Sequence, residues 1–573
     1  MDKKTGTTND IVIGAASGYS WEDIEAWAMS LIMSGFEGIR ALILYDGHEH
    51  NESIADLLRS NGFRVIRRGR SDGVYNGRFA DIASVLSELE EPTRYAVVTD
   101  VRDVYFQSDP AAWLENNLTK PLLAVSEGVR YSDEPWNRDN LRNGFPDHAA
   151  RILPKTVCNV GVIAGDVQVV ADVCLAISMF AKSSGFDVAD QSAYNLILDI
   201  EPYRSIVQIA QSEDGFGCQA GTMADPGNIL QSVLLEPQPA LDSEGVKTAS
   251  GKLYPIVHQY DRVSEWDRAL RRLLEPQILR SYLTYLESTA GSGTVSSRAG
   301  SVSRRHSDTG KPMVSLVCPT YQRSSFLREA IRYFFAQNYD GGLEMVILDD
   351  SPEPDHGLTD PKYVEMGIRY YHMPLKRLTM GTKMNLLMQL AQGDILVQYD
   401  DDDYYAPNYV ERMVEFLGDA DFLTLSGWFV YSMEHRSLFY WRADITSPEH
   451  FIVEPTGPIR SVSTLDWDPS WTNGNTWGYG FSYVWRKSVF STVAMPDIPD
   501  DGLCWDYDFY LRLERAGLET VCKPDTEGIV LHILHPQSSV CQVPQWILPE
   551  FLTQKLFSGF RGIKERDSPQ LAE

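Results

Sequence analysis

Positive charge is scarce in this chain: Lys and Arg number 51 against 79 Asp and Glu, a formal net charge of −28. Such an excess repels nucleic-acid backbones and anionic membranes, which argues against nucleic acid as a partner. A phosphate-bearing substrate then has to be held locally, by a metal ion or a few placed cations. Cysteine is also sparse, seven residues scattered from Cys158 to Cys541 with no CxxC pair, so neither a zinc site nor a disulfide framework is expected. No apolar run approaches the roughly 18 residues of a membrane span, and the first ten residues are polar. The expectation is a cytoplasmic protein without a transmembrane segment.

What is present is ordinary core-forming material, 43% hydrophobic residues over 573 positions, enough for two large α/β domains. Residues 288–311 are rich in Gly, Ser and Thr without apolar periodicity, as in a flexible linker. They separate 1–287 from 312–573. In the first half, apolar runs at Asp10–Ile13, Ala41–Tyr45 and Tyr95–Val98 alternate with helical patterns, the first over Trp21–Met33. The second half repeats the plan with Val314–Val317, a helix near Phe326–Gln337, Glu344–Leu348 and Ile395–Val397. Strands alternating with helices predict parallel sheets that bind ligands at the carboxyl ends of their strands.

The most informative segment is GDILVQYDDDDYYAPNYV, Gly393 to Val410. A buried strand there delivers Asp400 to Asp403 to its end, where four carboxylates need a counter-charge. A hard divalent cation such as Mg²⁺ or Mn²⁺ fits, since it binds oxygen ligands together with substrate phosphates. The plainer alternative is a solvated acidic turn.

CPTYQRSSFLREAI (from Cys318), VILDDSPEP (from Val346), the aspartate run, GLCWDYDFYLRLERAG (from Gly502) and LHILHPQSSV (from Leu531) follow in order. In that order they resemble a family 2 glycosyltransferase of the GT-A fold, an inverting enzyme, over roughly Lys311 to Val540. The resemblance implies that Thr320 and Tyr321 pack on the nucleotide and that Asp349 or Asp350 meets the base. It implies that Lys383 faces the diphosphate and that Asp400 and Asp402 form the DxD pair at ribose and metal. His532 and His535 each offer an imidazole to the metal, with His535 preferred. The catalytic base falls in a motif where Trp505 replaces the usual glutamate; Asp506 is favoured, with Asp508 close behind. Six tryptophans lie between Trp428 and Trp485. They suit either core packing or stacking on an acceptor sugar, Trp477 being the best acceptor candidate.

In the first half, YAVVTDVRDVYFQSDP (from Tyr95), NVGVIAGD (from Asn159), DQSAYNLIL (from Asp190) and PIVHQYDR (from Pro255) resemble family 8-type retaining glycosyltransferases, also of the GT-A fold. This implies a base held by Ala15, Ala16 and Tyr19, a metal held by Asp100, Asp103 and His258, and a donor sugar beside Asn159, Asp190 and Gln191. Arg102 occupies the second DxD position. Either Asp103 substitutes for it, or the arginine replaces the metal's charge, or the half is inactive.

Together these readings describe an α/β chain of two GT-A domains that transfers sugars from nucleoside diphosphate donors to a glycan, lipid-linked or protein acceptor. A single active second half beside a binding module, and a nucleotidyltransferase, are the alternatives. The tail from Glu550 to Arg566 has apolar residues at helical spacing with basic neighbours. It suits packing on its own domain or, less well, peripheral contact with a membrane.

Overall fold

Continuous apolar strands such as Ile11-Val12-Ile13, fully buried on both faces, are what a sheet covered on two sides demands. The computed structural model describes residues 9–47, 51–69, 74–224, 232–290, 310–445, 447–465, 479–497, 505–538 and 541–560. The chain divides into two units, Met1–Tyr285 and Leu286–Glu573. Most of the expected linker, 291–309, lies outside the described residues. Its first residues, Ser288 to Ala290, instead finish the helix Ser264–Ala290, so regular structure runs further than composition suggested.

In the first unit the strands are β1 (Asn9–Ser17), β2 (Ile39–Tyr45), β3 (Arg64–Arg68), β4 (Thr93–Thr99), β5 (Val104–Phe106), β6 (Leu122–Arg130), β7 (Thr156–Asp166), β8 (Val207–Ala210), β9 (Gly217–Gln219), β10 (Ala240–Asp242), β11 (Gly245–Lys247) and β12 (Ile256–His258). The main sheet has the order β3-β2-β1-β4-β7-β6-β8. β1 pairs in parallel with β2 and β4, and β7 runs antiparallel to β4. A small sheet β5-β12-β9 stands apart, as does the hairpin β10-β11.

The helix Trp21–Met33 begins where Asp23 accepts the Ser20 N–H at 3.0 Å, satisfying an otherwise orphaned donor. The helix Val167–Ser184 has a mean hydropathy of 1.4 over 18 residues and is long and apolar enough to cross a membrane by length and composition. The sequence reading expected no apolar run of that length. Here it buries Val170, Val173, Cys174 and Ile177 in the core beside Tyr194.

The second unit contains β13 (Val314–Thr320), β14 (Leu343–Asp349), β15 (Ile368–His372), β16 (Ile395–Gln398), β17 (Tyr404–Tyr405), β18 (Phe422–Ser432), β19 (Ser437–Arg442), β20 (Glu449–Ile452), β21 (Arg460–Ser463), β22 (Val484–Arg486), β23 (Thr520–Pro524), β24 (Val530–Leu534) and β25 (Trp546–Leu548). Its sheet runs β15-β14-β13-β16-β22-β18-β19-β25, with β17, β23 and β24 attached alongside. β13 is parallel to β14 and β16, and β22 is antiparallel to β16. Both units therefore share one plan. The order third, second, first, fourth is parallel, and the next strand reverses. Both are α/β with parallel-rich sheets.

Trp428, Trp441 and Trp485 are fully buried core residues, Trp428 lying 4.8 Å from Trp441 between ring centroids. Trp477 lies outside the described residues. The tail forms a helix only over Phe551–Leu556. Beyond it Phe557 is buried against Phe429 and Tyr404, and Phe560 meets Tyr431 at 5.3 Å. Tertiary burial, rather than helix length, holds this segment.

Candidate functional site

In the second unit, β16 carries the chain into the four aspartates at its carboxyl end, beside the end of β13. Asp400, Asp402 and Asp403 bring carboxylate oxygens within 4.8 Å of one another. The pairing of β17 with β24 sets Tyr404 opposite Leu531, so the next residues outward, Asp403 and His532, face each other. His532 Nδ1 lies 3.0 Å from Asp403 Oδ2, and the Ile533 N–H donates to Oδ1 at 2.9 Å. Asp402 Oδ2 receives Arg323 Nη1 at 2.7 Å and His535 Nε2 at 3.0 Å. Asp401 turns to Thr320 Oγ1 at 2.6 Å and Arg323 Nη1 at 3.2 Å. Asp400 takes the Gln398 amide at 3.0 Å.

Burial and the neighbouring Asp403 and Asp402 push Asp400 up to about 8. Burial and Asp402 push Asp401 to about 7. Burial opposes the charge of Asp402 as well, but His535 and Arg323 outweigh it and hold that carboxyl below the usual range. Among the described residues, four enclosed carboxylates face one guanidinium and the His532 and His535 imidazoles, and their hard oxygen donors fit Mn²⁺ or Mg²⁺. Asp403, which the sequence reading did not single out, supplies the third oxygen. His535 reaches the cluster as well. Its Nδ1 accepts the Gln537 N–H at 3.2 Å, so in the neutral ring the hydrogen sits on Nε2 and points at Asp402. As placed it donates to Asp402 from Nε2 while Nδ1 is taken by the Gln537 N–H.

Just past the end of β13, Tyr321 has Arg377 at 4.9 Å and Lys383 at 5.8 Å from its ring centroid. Lys383 was expected to face a diphosphate. It is buried between strand ends, 2.5 Å from Asp350 and donating to the Thr320 carbonyl at 3.0 Å. Asp350 also accepts the Leu378 N–H at 2.6 Å. Asp349 accepts the Ser351 N–H at 2.9 Å and the Tyr370 hydroxyl at 2.6 Å.

The two candidate bases differ sharply. Asp508 is paired with Arg512 at 2.9 Å, one helical turn away. Among the described residues, Asp506 accepts only backbone N–H groups, from Tyr507 at 2.9 Å and Gly480 at 3.3 Å, and burial raises its pKa. A Cβ on Gly480 would lie 2.8 Å from the Trp505 ring and 3.2 Å from Gln398 Nε2, the same amide that serves Asp400. Gly480 and Gln398 therefore lie between Asp506 and Asp400 of the aspartate cluster. Trp505, standing where a glutamate was expected, fills the space over that glycine.

In the first unit the register of the small sheet assembles the cluster. His258 in β12 sits opposite Val104 of β5 and level with Gln219 of β9, so it meets Asp103 just ahead of β5. Asp100, Asp103 and His258 offer ligand atoms within 4.8 Å of one another. Gln219 Oε1 lies 2.7 Å from His258 Nδ1, which fixes a hydrogen there. Nε2 then faces Asp103 at 3.4 Å and Asp100 at 3.6 Å, buried and, among the described residues, without a close hydrogen bond, able to hold a proton or a metal ion. Burial would lower the pKa of His258, but Asp103 and Asp100 outweigh it and raise it, a sign of missing positive charge. Arg102 lies 3.6 Å from Asp261 instead, so it is Asp103 that stands in at the cluster.

Gly161 supplies its carbonyl to the Asp100 N–H at 2.9 Å; a Cβ there would lie 2.5 Å from His258 and 2.7 Å from Asp100. Arg78 bridges Asp100 at 3.0 Å and Asp190 at 3.2 Å. Burial raises the pKa of Asp190 in spite of Arg78. Gln191 and Asn159 both donate to Glu127 Oε1, at 3.0 and 2.7 Å, and Asn137 donates to Oε2 at 3.2 Å. Ala16 is buried at the end of β1. Burial, then the charges of Asp100 and Asp103, raise the pKa of Tyr19.

Residues 315–465 match the model of glycosyl transferase family 2. The matched segment takes in the aspartates, Lys383 and Arg323, and stops short of Asp506, His532 and His535. Among curated relatives, an uncharacterized glycosyltransferase of Rickettsia felis is 29% identical over 142 residues, 24% of this chain and 23% of the relative. A protein of Escherichia coli named as a colanic acid biosynthesis glycosyl transferase, WcaA, is 24% identical over 243 residues, 41% of this chain and 77% of that protein. The chain thus spans under a quarter of the length of that Rickettsia relative. Among solved structures, S. aureus TarS residues 1–349 aligns at 13% identity over 39% of this chain and 60% of that one, with a TM-score of 0.28. The mannosyltransferase PcManGT of Pyrobaculum calidifontis, solved with GDP-Man and Mn²⁺, aligns at 15% identity over 40% and 59%, with a TM-score of 0.26.

The sequence reading named Asp400, Asp402 and Asp506 in the second unit, and Asp100, Asp103 and His258 in the first. It counted Asp403 in the aspartate run without giving it a role, and it gave none to Arg323, Gln219, Glu127 or Arg78. Of these only Asp403 and Arg323 stood inside a quoted motif.

Proposed function

We propose that the second unit is a glycosyltransferase acting by inverting displacement on a nucleoside diphosphate sugar, with Asp506 as the base. The observation that carries this reading is the approach of Asp506, through Gly480 and Gln398, to the cluster of Asp400, Asp402 and Asp403. The family match across the same aspartates supports it. Asp506 takes the proton of the acceptor hydroxyl as that oxygen bonds to the anomeric carbon. The bond from that carbon to the diphosphate oxygen breaks on the opposite face. Tyr321 and Arg377 flank the nucleotide, and Lys383 fixes Asp350 and the end of β13. Asp400, Asp402 and Asp403 would hold a divalent cation, which would supply charge stabilisation to the leaving nucleoside diphosphate.

The first unit is proposed as a second transferase of the retaining type, with Asp100, Asp103 and His258 as its cation ligands and Asp190, Gln191 and Asn159 at the donor sugar. The chain would then add two sugars to a glycan or glycoconjugate in turn. A single active second unit is the competing reading, favoured by the family match stopping within that unit. Release of nucleoside diphosphate from a panel of nucleotide sugars by the full chain tests both readings. Asp402→Asn should lower release from one donor by about 100-fold or more, and Asp103→Asn should lower release from another. Release that Asp103→Asn leaves untouched with every donor favours the single active unit. Full release by Asp402→Asn rules out the principal reading.

A further inference from the structure

We infer that Arg323 is an internal counter-ion that competes with a divalent cation for Asp402, by occupying Oδ2 and by its charge, and so sets the cation affinity of the second unit. This rests on the cation reading of the aspartate cluster given above. A carboxylate oxygen has two in-plane lone pairs. Both lone pairs of Asp402 Oδ2 are taken, one by Arg323 Nη1 at 2.7 Å and one by His535 Nε2 at 3.0 Å. A cation at that oxygen displaces one of the two donors.

The two are not held equally. His535 is buried, lies 4.4 Å from the Phe326 ring between centroids, and has Nδ1 tied to the Gln537 N–H. The Arg323 side chain is 27% exposed on a long stem, just ahead of the helix Ser324–Ala336. Arg323 is the donor that can give way.

Its other contacts keep it close. Nη1 also meets Asp401 at 3.2 Å and Nη2 donates to the Gln537 carbonyl at 3.0 Å. A displaced guanidinium therefore stays beside the incoming cation and repels it, on top of the charge-assisted bond already lost. The diphosphate of a donor offers the freed fork a replacement partner, since guanidinium matches phosphate as well as carboxylate. Cation and nucleotide should then reinforce one another's binding through Arg323.

The test measures Mn²⁺ binding to the full chain by the electron paramagnetic resonance of free Mn²⁺, with and without UDP as the probe. Asp103→Asn is present throughout to silence the first-unit cluster. Without UDP, Arg323→Gln should bind Mn²⁺ about tenfold or more tightly than its parent, as expected for removal of one charge-assisted contact and one repulsion. The gain in Mn²⁺ affinity that UDP brings should shrink in the variant. Arg323→Lys, which keeps the charge but not the fork, should fall between the two, and it decides the matter if Arg323→Gln melts abnormally. Equal or weaker Mn²⁺ binding by folded variants overturns the role of Arg323 alone. Absence of Mn²⁺ binding in parent and variants alike overturns the cation reading, and this inference with it.

Discussion

Replacing Gly161 with alanine would add one carbon where three functional groups already converge. The new Cβ would stand 2.5 Å from His258 Cε1, 2.7 Å from Asp100 Oδ2 and 2.9 Å from Asn159 Oδ1, against an ordinary contact of 3.4 Å or more. None of the three can retreat cheaply. His258 is fixed between β5 and β9 and bonded to Gln219. Asn159 accepts the Gly161 N–H at 2.7 Å while donating to Glu127, and the Gly161 carbonyl holds the Asp100 N–H. A shortfall of about 0.9 Å at the imidazole must open the distance between His258 and Asp100. Overpacking of this kind costs about 1–3 kcal/mol, and disturbed ligand positioning costs about 10–100-fold in metal affinity. Titration with Mn²⁺ should therefore count one fewer tightly bound ion per chain, while the second unit's site is unchanged. Gly185→Ala provides the control. Its φ of +69° strains an added side chain, but open space surrounds it, so stability falls by about 1 kcal/mol with no effect on metal. A folded Gly161→Ala variant that binds as many ions as tightly as the parent would refute both the geometry and the assignment of His258 and Asp100 as ligands.

Asp506→Asn should abolish transfer while sparing donor affinity, whereas Asp508→Asn, which breaks only a pair with Arg512, should leave most of the rate; the reverse result would move the base to Asp508. Because burial raises the pKa of Asp506, the ionised base is lost on acidification sooner than for an ordinary aspartate near 3.9. The acid limb of kcat/KM should therefore lie above that value, and a limb at or below it would count against Asp506. Phe557→Ala removes a ring buried against Tyr404 and Phe429. It should cost the second unit about 3–5 kcal/mol and lower its melting transition by several degrees. Normal melting together with lost sedimentation on anionic liposomes would instead mark this segment as a membrane contact.

Strands buried on both faces were legible because apolar runs such as Ile11-Val12-Ile13 and Met345-Val346-Ile347 have few other uses. β3, with the sequence RVIRR, and β15, with IRYYH, were not. Edge strands of mixed polarity carry no continuous apolar run, and their place depends on a neighbour already in position. The same division holds in the sites. Four aspartates at the end of an apolar run announce themselves in one dimension. The meeting of Asp403 with His532 depends on the register of β17 against β24, more than a hundred residues apart, and no local pattern encodes it. Gln219 and Glu127 are single polar residues whose importance lies in what they touch. His535 lies beside Asp402, and the Gln537 N–H at its other nitrogen is a contact no sequence displays.

The reversed strand that follows the four parallel ones has a consequence for how such a scaffold can change. A parallel strand alters its ligand only through its last residues or the loop that climbs into the next helix, and that crossover is constrained at both ends. A strand running the other way meets the crevice with its beginning. Asn159 lies near the start of β7 and Gly480 just ahead of β22, and both stand at their sites. Chain can be inserted ahead of either strand without breaking a rung of the parallel ladder or rerouting a helix. Each unit thus has one wall that can lengthen and vary while the side chains gathered by the other strands stay as they are.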